Sequence, residues 1–174
     1  MTSRLLIVCG IPGAGKSTFA HRAVERWGAV SFASEQFADA LGDSARSASG
    51  DLTKEAIAHA YAAMGEGTAA ALATNSLVVA VGSFRSEAQR DRFREIARGV
   101  GAKATTLRIV APVATAAARV QARIALGERG PTESSIRRIE AELAGATDFD
   151  EALNNDVSME QFCRETDKLL ERIR

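Results

Sequence analysis

The sequence predicts a three-layer α/β fold in which a parallel sheet carries helices on both faces, and three observations lead there. Apolar, β-rich runs alternate with longer segments of helical period along the chain, and strands separated by helices pair in parallel through crossovers. Two runs, Leu5-Leu6-Ile7-Val8-Cys9 and Leu77-Val78-Val79-Ala80-Val81, are continuously apolar, as strands buried on both faces must be. With 174 residues, 46% hydrophobic and 25% charged, the chain has the size and balance of one packed globular domain, here 1–174.

The elements follow in order. Leu5 to Cys9 form the first strand, and Phe19, Ala20, Ala23, Val24 and Trp27 recur with helical period after it. A short strand at 29–33 and a helix-like piece at 35–41 precede 42–51, which is rich in Gly, Ser and Asp and reads as a loop. Asp51 is placed to cap a long alanine-rich helix over 52–73, and Leu77 to Val81 make a central strand. Ser86 with Gln89 is a capping-box pattern that opens a helix to about Arg98, and 104–110 is the next strand. Pro112 suits the first turn of a helix to about Leu126, Gly127 and Gly130-Pro131 punctuate a basic loop, and Thr132 starts a helix to about Leu143. A weak strand is expected near 150–153. Ser158 with Gln161 is a second capping box, and Phe162, Thr166, Leu169, Leu170 and Ile173 fall on one face of the last helix.

Twenty-two basic and 22 acidic residues cancel, so a global electrostatic hold on nucleic acid or an anionic membrane is excluded, while a local basic pocket is not. The first apolar run is too short for a signal peptide, and no stretch approaches the roughly 18 apolar residues of a membrane span. Cys9 and Cys163 have the placement of buried thiols and not of a disulfide framework. A cytoplasmic protein is expected.

The decisive motif is Gly10-Ile11-Pro12-Gly13-Ala14-Gly15-Lys16-Ser17, followed by Thr18, which satisfies G-x-x-x-x-G-K-[ST] between a strand and a helix. Glycines let the backbone curl so that successive N–H groups face phosphate oxygens, and the helix N-terminus adds partial positive charge. Lys16 is then expected at the β- and γ-phosphates, with the Ser17 hydroxyl on Mg²⁺. A glycine turn before a purely structural helix is the bland alternative, and strand, motif and helix together weigh against it.

With that loop in place, the whole chain resembles the small P-loop kinases of the AAA-domain ATP-binding family, related to polynucleotide-kinase-like, zeta-toxin-like and gluconate-kinase-like enzymes. The resemblance implies a nucleotide-kinase-like P-loop NTPase fold with a small helical lid at about 119–135, and ATP with Mg²⁺ as cofactors. In that family a strand after the first helix ends in Ser-Asp, whose carboxylate faces the phosphoryl acceptor. Ser34-Glu35 is similar, which makes Glu35 a candidate general base or acceptor-holder; a helix N-terminal glutamate facing the dipole is the alternative. The family's third motif, a strand followed by Asp-Ala-Thr-Asn and a later Arg, falls on Val78 to Arg85, with Val81 in place of the acid. That departure leaves Mg²⁺ to Ser17, phosphate oxygens and water, with Glu35 as a further candidate. Gly82-Ser83-Phe84-Arg85 also resembles the Gly-Phe-Pro-Arg segment of adenylate-kinase-like enzymes, where the Arg grips the acceptor's phosphate, so Arg85 is a candidate substrate ligand.

Ala111-Pro112 followed by Arg119-x-x-x-Arg123 resembles the family's lid, in which arginines close over the transferring phosphate. Arg119 and Arg123 lie about 40° apart on an ideal helix, at the edge of an apolar face. Arg129 could join them, and a solvated basic edge is the alternative for all three. Arg90, Arg94 and Arg98, four residues apart, read as a solvated face in preference to a phosphate-tracking strip. His21 and His59 lack partners at ligand spacing. Asn154-Asn155-Asp156 suits a loop near a nucleotide base or a plain turn equally. The expected activity is transfer from MgATP to a hydroxyl or phosphate of an unidentified small-molecule acceptor. A nucleic-acid 5′-hydroxyl is the first rival, disfavoured by the neutral balance and 5% aromatic content. A degenerate ATP-binding module or slow ATPase is the second.

Overall fold

The computed structural model describes residues 2–48 and 50–173. Strand β1 (Arg4–Cys9) leads into helix α1 (Lys16–Trp27), β2 (Val30–Ala33), α2 (Ser34–Asp39), a 3₁₀ turn (Gly42–Ala45), α3 (Lys54–Leu72), β3 (Leu77–Val81) and α4 (Glu87–Gly99). The chain continues through β4 (Lys103–Val110), α5 (Val113–Ala125), α6 (Glu133–Ala144), β5 (Glu151–Asn154) and α7 (Met159–Ile173). Within the sheet all strand pairings are parallel and the order is β2-β3-β1-β4-β5. The expected α/β fold with both faces covered is therefore observed.

The alternation of β1 sorts the core. Leu6 and Val8 point to one face, where Phe19 and Ala23 of α1, Val120 of α5, Ile136 of α6 and Leu169 of α7 bury them. Leu5, Ile7 and Cys9 point to the other, against Tyr61 and Met64 of α3 and Phe93 of α4. Residues Leu5 to Cys9 are at most 1% exposed, which explains the unbroken apolar run: no position of this central strand meets water. Each such side chain contributes about 1.5–3 kcal/mol by burial.

Local signals mark several helix starts. Ser86 accepts from the Gln89 N–H and Gln89 accepts from the Ser86 N–H, closing the capping box of α4. Thr132 caps α6 through the Ser135 N–H, and Ser158 accepts from the Gln161 N–H at the head of α7. Two expectations are corrected. The cap of α3 is Thr53, whose Oγ1 accepts from the Ala56 N–H at 3.1 Å, and not Asp51. Asp51 instead accepts from the Ser135 hydroxyl at 2.7 Å, a tertiary contact with α6. The segment 42–51 is also more than a loop, since it holds the 3₁₀ turn and an antiparallel bridge between Arg46 and Leu52. Cys9 is buried and Cys163 only half-buried, both as free thiols. Burial pushes the Cys9 thiol up to about 12, which keeps it protonated and inert. Among the described residues no helix is long and apolar enough to cross a membrane.

Candidate functional site

The connection after β1 runs over one face of the sheet and the connection after β3 over the other, so a crevice opens between their C-terminal ends. The Gly10–Ser17 loop fills the β1 side of this crevice. Its tightness has two visible causes. A Cβ on Gly13, at φ 83°, would stand 2.2 Å from the Ala116 carbonyl oxygen of α5. One on Gly15, at φ 105°, would stand 2.1 Å from Asn155 Nδ2. Only glycine fits at either place. The first intrahelical bond of α1 runs from the Phe19 N–H to the Gly15 carbonyl, leaving the N–H groups of Lys16, Ser17 and Thr18 beyond the helix ladder.

Lys16 donates from Nζ to the Ile11 carbonyl at 2.8 Å, arching over the loop. Desolvation lowers its pKa to about 8; Glu35 works against that shift and Arg123 with it. Its ammonium therefore lacks a full counter-charge, the condition a bound polyphosphate would relieve. The chemistry of these donors suits a Mg²⁺-nucleotide: a helix N-terminus, a desolvated lysine, Arg123 and the Ser17 hydroxyl. Magnesium keeps most of its waters and takes only one or two protein oxygens beside phosphate. Among the described residues no three His, Cys, Asp or Glu side chains gather as a metal cage. His21 pairs with Glu25 on the surface of α1.

A cavity of about 480 Å³ extends from the loop across the crevice, lined by Pro12, Gly13 and Gly15 to Thr18 at one end and by Ser34, Glu35, Val81, Ser83 and Arg85 at the other. Arg119, Arg123, Arg129 and Arg138 line it from α5, α6 and their connection. The structure thus brings together Lys16, Ser17, Glu35, Arg85, Arg119, Arg123 and Arg129, drawn from five separate segments. Gly10 and Ala14 lie behind the cavity wall in the loop itself. Glu35 is exposed at the head of α2, and Val81 is 5% exposed at the end of β3.

The arginines differ in their partners. Arg119 donates to the carbonyls of Gly13 at 3.2 Å and Asn155 at 3.1 Å, so it ties the loop to the end of β5. Arg123 is half-buried one turn on; its guanidinium bonds none of the described residues, and it lines the same cavity as Lys16 and acts on it through its charge. Arg129 pairs with Asp43 at 2.5 Å, both well exposed. Arg85 forms a bidentate pair with Glu142 of α6.

Arg90 and Arg94 are not a solvated face. Arg90 is 1% exposed, donates twice to Asp148 at 2.5 and 2.7 Å and once to the Phe84 carbonyl, and stacks over Phe149. Arg94 bonds the Asp148 carboxylate and carbonyl and the Thr106 hydroxyl. Only Arg98 is exposed as expected. The Arg90 guanidinium, helped by Arg94, holds the Asp148 carboxyl down at about 2. Asn155 was legible only as a turn or a base-side loop; it is buried, donates to the Ala14 carbonyl at 2.7 Å and supports the P-loop from behind.

A strand-loop-helix P-loop at the switch point of a five-stranded parallel sheet, with arginines above it, defines the class as P-loop proteins of kinase-like architecture. Within that class, residues 5–146 match the family model described as an AAA domain, and the chain belongs to that family. No curated protein matches the sequence significantly. Among solved structures, a gluconokinase from Sinorhizobium meliloti 1021 is 22% identical over 99% of this chain and 93% of its own, with a TM-score of 0.71. Kti12 of Chaetomium thermophilum, solved with ADP-AlF3, is 18% identical over 98% and 99%, with a TM-score of 0.67. The APS kinase CysC of Mycobacterium tuberculosis, in complex with AMPPNP and APS, is 15% identical over 98% of both chains, with a TM-score of 0.65. These likenesses establish the fold.

Proposed function

We propose that the protein is an ATP-dependent phosphotransferase that moves the γ-phosphoryl group of MgATP to a hydroxyl or phosphate of a small-molecule acceptor. The observation that carries this reading is the single cavity that joins the P-loop and Arg123 to Glu35 and Arg85 on the far side of the crevice. A nucleotide-binding module alone needs only the first half. Bound MgATP supplies the transferable phosphoryl group and a divalent charge on its oxygens. The backbone of Gly10, Pro12, Gly13, Ala14, Gly15, Lys16, Ser17 and Thr18 shapes the phosphate cradle, and the Ser17 hydroxyl is the protein's ligand to Mg²⁺. Lys16 exchanges the Ile11 carbonyl for phosphate oxygens, whose negative charge offsets the desolvation of its ammonium. Arg119 keeps the cradle rigid from the α5 side, beside the nucleotide. Arg123, whose guanidinium bonds none of the described residues, neutralises charge that develops on the transferring group. Glu35 receives or orients the acceptor's proton, while Arg85 and Arg129 hold the acceptor and close the segment 119–135 over it.

Lys16→Ala tests the reading. The loop backbone stays, so folding is unchanged, while transfer to a pool of metabolites incubated with labelled ATP is abolished. Unchanged turnover would refute the P-loop assignment. A second reading rests on Val81, a buried apolar residue where related kinases carry an acid: the protein is an ATP-binding regulatory module. It forecasts ATP binding with no phosphorylated product from the same pool, and a labelled oligonucleotide in a parallel reaction checks a nucleic-acid acceptor.

A further inference from the structure

The acceptor half of the cavity carries an ion pair that phosphoryl transfer does not require. Arg85 follows Phe84, which has a left-handed backbone (φ 46°), alone in this among the described non-glycine residues. That conformation is unfavourable for an aromatic residue and persists only where the surroundings impose it. Here they do so from three sides. The Phe84 N–H donates to Tyr61 Oη at 2.8 Å, the Phe84 carbonyl accepts from Arg90 at 2.6 Å, and the fully buried ring meets Tyr61 and Phe93 edge-on. A turn fixed in this way sets the direction in which Arg85 leaves the sheet.

It leaves toward Glu142. Nε and Nη2 of Arg85 each donate to one carboxylate oxygen, the fork geometry with which arginine takes a phosphate, sulfate or carboxylate. Glu142 stands at the edge of the cavity and not in its lining: Ser135, Arg138 and Ile139 of α6 line it, Glu142 follows Arg138 by one turn, and its carboxylate reaches the cavity through the cavity-lining Arg85. Arg85 first, and Arg138 after it, hold the Glu142 carboxyl below its ordinary range. With side chains 27% and 39% exposed, such a pair contributes little to stability. Its place and geometry are those of a ligand contact made by the protein to itself.

Building on the phosphotransferase reading, we propose that the acceptor carries an anionic group bound by Arg85 and Arg138, and that Glu142 is an internal competitor occupying this subsite while the acceptor is absent. An acceptor anion replaces the Glu142 carboxylate on Arg85, bond for bond, and the glutamate turns outward to solvent it already touches. An uncharged polyol cannot make that exchange and leaves Arg85 closed on Glu142, so the residue rejects neutral acceptors.

The test has a binding arm and a transfer arm. Protein saturated with Mg²⁺ and AMPPNP, so that the P-loop is filled, is titrated with inorganic phosphate and with sulfate by calorimetry, with the Arg85 Nε resonance followed in wild type and Glu142→Gln and melting temperature as the fold control. Wild type binds weakly, Glu142→Gln binds at least fivefold more tightly, and Arg85→Ala does not bind. Equal affinity in all three, or no response at the Arg85 resonance, overturns the proposal. In the transfer arm, sugar acids, sugar phosphates and uncharged polyols of matching skeleton are offered with ATP. Acidic acceptors are phosphorylated with a KM lowered in Glu142→Gln and an unchanged KM for ATP. Transfer to the neutral polyols alone overturns the anion subsite and leaves the kinase standing. Anion binding in the stated order without transfer to any acceptor leaves the subsite standing and removes the kinase reading.

Discussion

Asn155 donates from Nδ2 to the carbonyl of Ala14 at 2.7 Å, so a residue just past β5 braces a loop 141 positions earlier in the chain. Asn155 is itself fixed, its N–H donating to the Val110 carbonyl at 2.8 Å and its own carbonyl accepting from Arg119. The brace and the missing Cβ of Gly15 are one packing fact, since the amide occupies the space a side chain would need.

Asn155→Ala leaves the Ala14 carbonyl without its donor in a buried place, at a cost of about 1–3 kcal/mol. The loop loosens, and ADP affinity is expected to fall roughly tenfold with a melting temperature lower by a few degrees. Asn155→Asp is expected to be worse, because a carboxylate would set an acceptor against an acceptor. Titration calorimetry with ADP on the three proteins gives the order; an affinity unchanged in Asn155→Asp would show that the brace does not shape the cradle.

Arg119 and Arg123 are one turn apart on α5 yet their substitutions should separate. Arg119 bonds two carbonyls of the resting protein, so Arg119→Ala should weaken ADP binding and lower the melting temperature together. The Arg123 guanidinium bonds no described residue, so Arg123→Ala should leave stability alone and reduce turnover by roughly 100-fold, well beyond its effect on ATP affinity. Equal losses of binding and turnover in Arg123→Ala would make it a nucleotide anchor only. Helical spacing predicts that the two share an edge; it is blind to the carbonyls of Gly13 and Asn155, which become neighbours only when β5 is added beside β4.

That contrast generalises to what the sequence makes legible. The P-loop, the Ser86–Gln89 box and the Thr132 cap are written in residues a few positions apart, and their physics is local, so pattern alone locates them. Continuous apolar runs likewise identify β1 and β3 as central strands. Arg90 and Arg94 mislead because four-residue spacing defines a helix face but not what covers it. The cover is Asp148 and Phe149, 58 and 59 positions from Arg90, delivered by the turn between α6 and β5. Asp51 misleads for a related reason: cap chemistry three residues before the first residue of α3 competes with a tertiary hydroxyl, Ser135, that no local pattern contains.

The Arg90–Asp148 pair makes a pH prediction. Folding lowers the Asp148 pKa from 3.8 to about 2, so the folded state holds its proton less tightly than the unfolded chain. The resulting stabilisation is fully present above about pH 4 and is lost as pH falls toward 2. Melting temperatures of wild type and Asp148→Asn measured from pH 2 to 7 should differ most at neutral pH, with the variant lower, and should converge in acid. Other carboxylates titrate in both proteins, and their effects cancel in the difference. Parallel curves would mean that the pair contributes nothing through ionisation.

The last prediction concerns the acid that the family resemblance leads one to expect where this chain has Val81. Val81 is 5% exposed and packs into the apolar face beneath α1, while Glu35 is exposed across the same cavity and acts on Lys16 through its charge. If Glu35 takes up the duty of orienting an acceptor hydroxyl or a Mg²⁺-bound water, Glu35→Gln nearly eliminates transfer and leaves ATP affinity almost unchanged, because the amide keeps the shape and removes the charge. Val81→Asp is the reciprocal experiment. A buried carboxylate without a partner costs several kcal/mol, so this variant is expected to melt lower and to recover stability when MgATP is added. Acceptor phosphorylation is compared only among folded proteins that bind ATP. Robust transfer by Glu35→Gln would remove Glu35 from the mechanism. Transfer that appears only with Val81→Asp would mean that the natural chain binds ATP without passing its phosphate on, and would favour the regulatory module over the kinase.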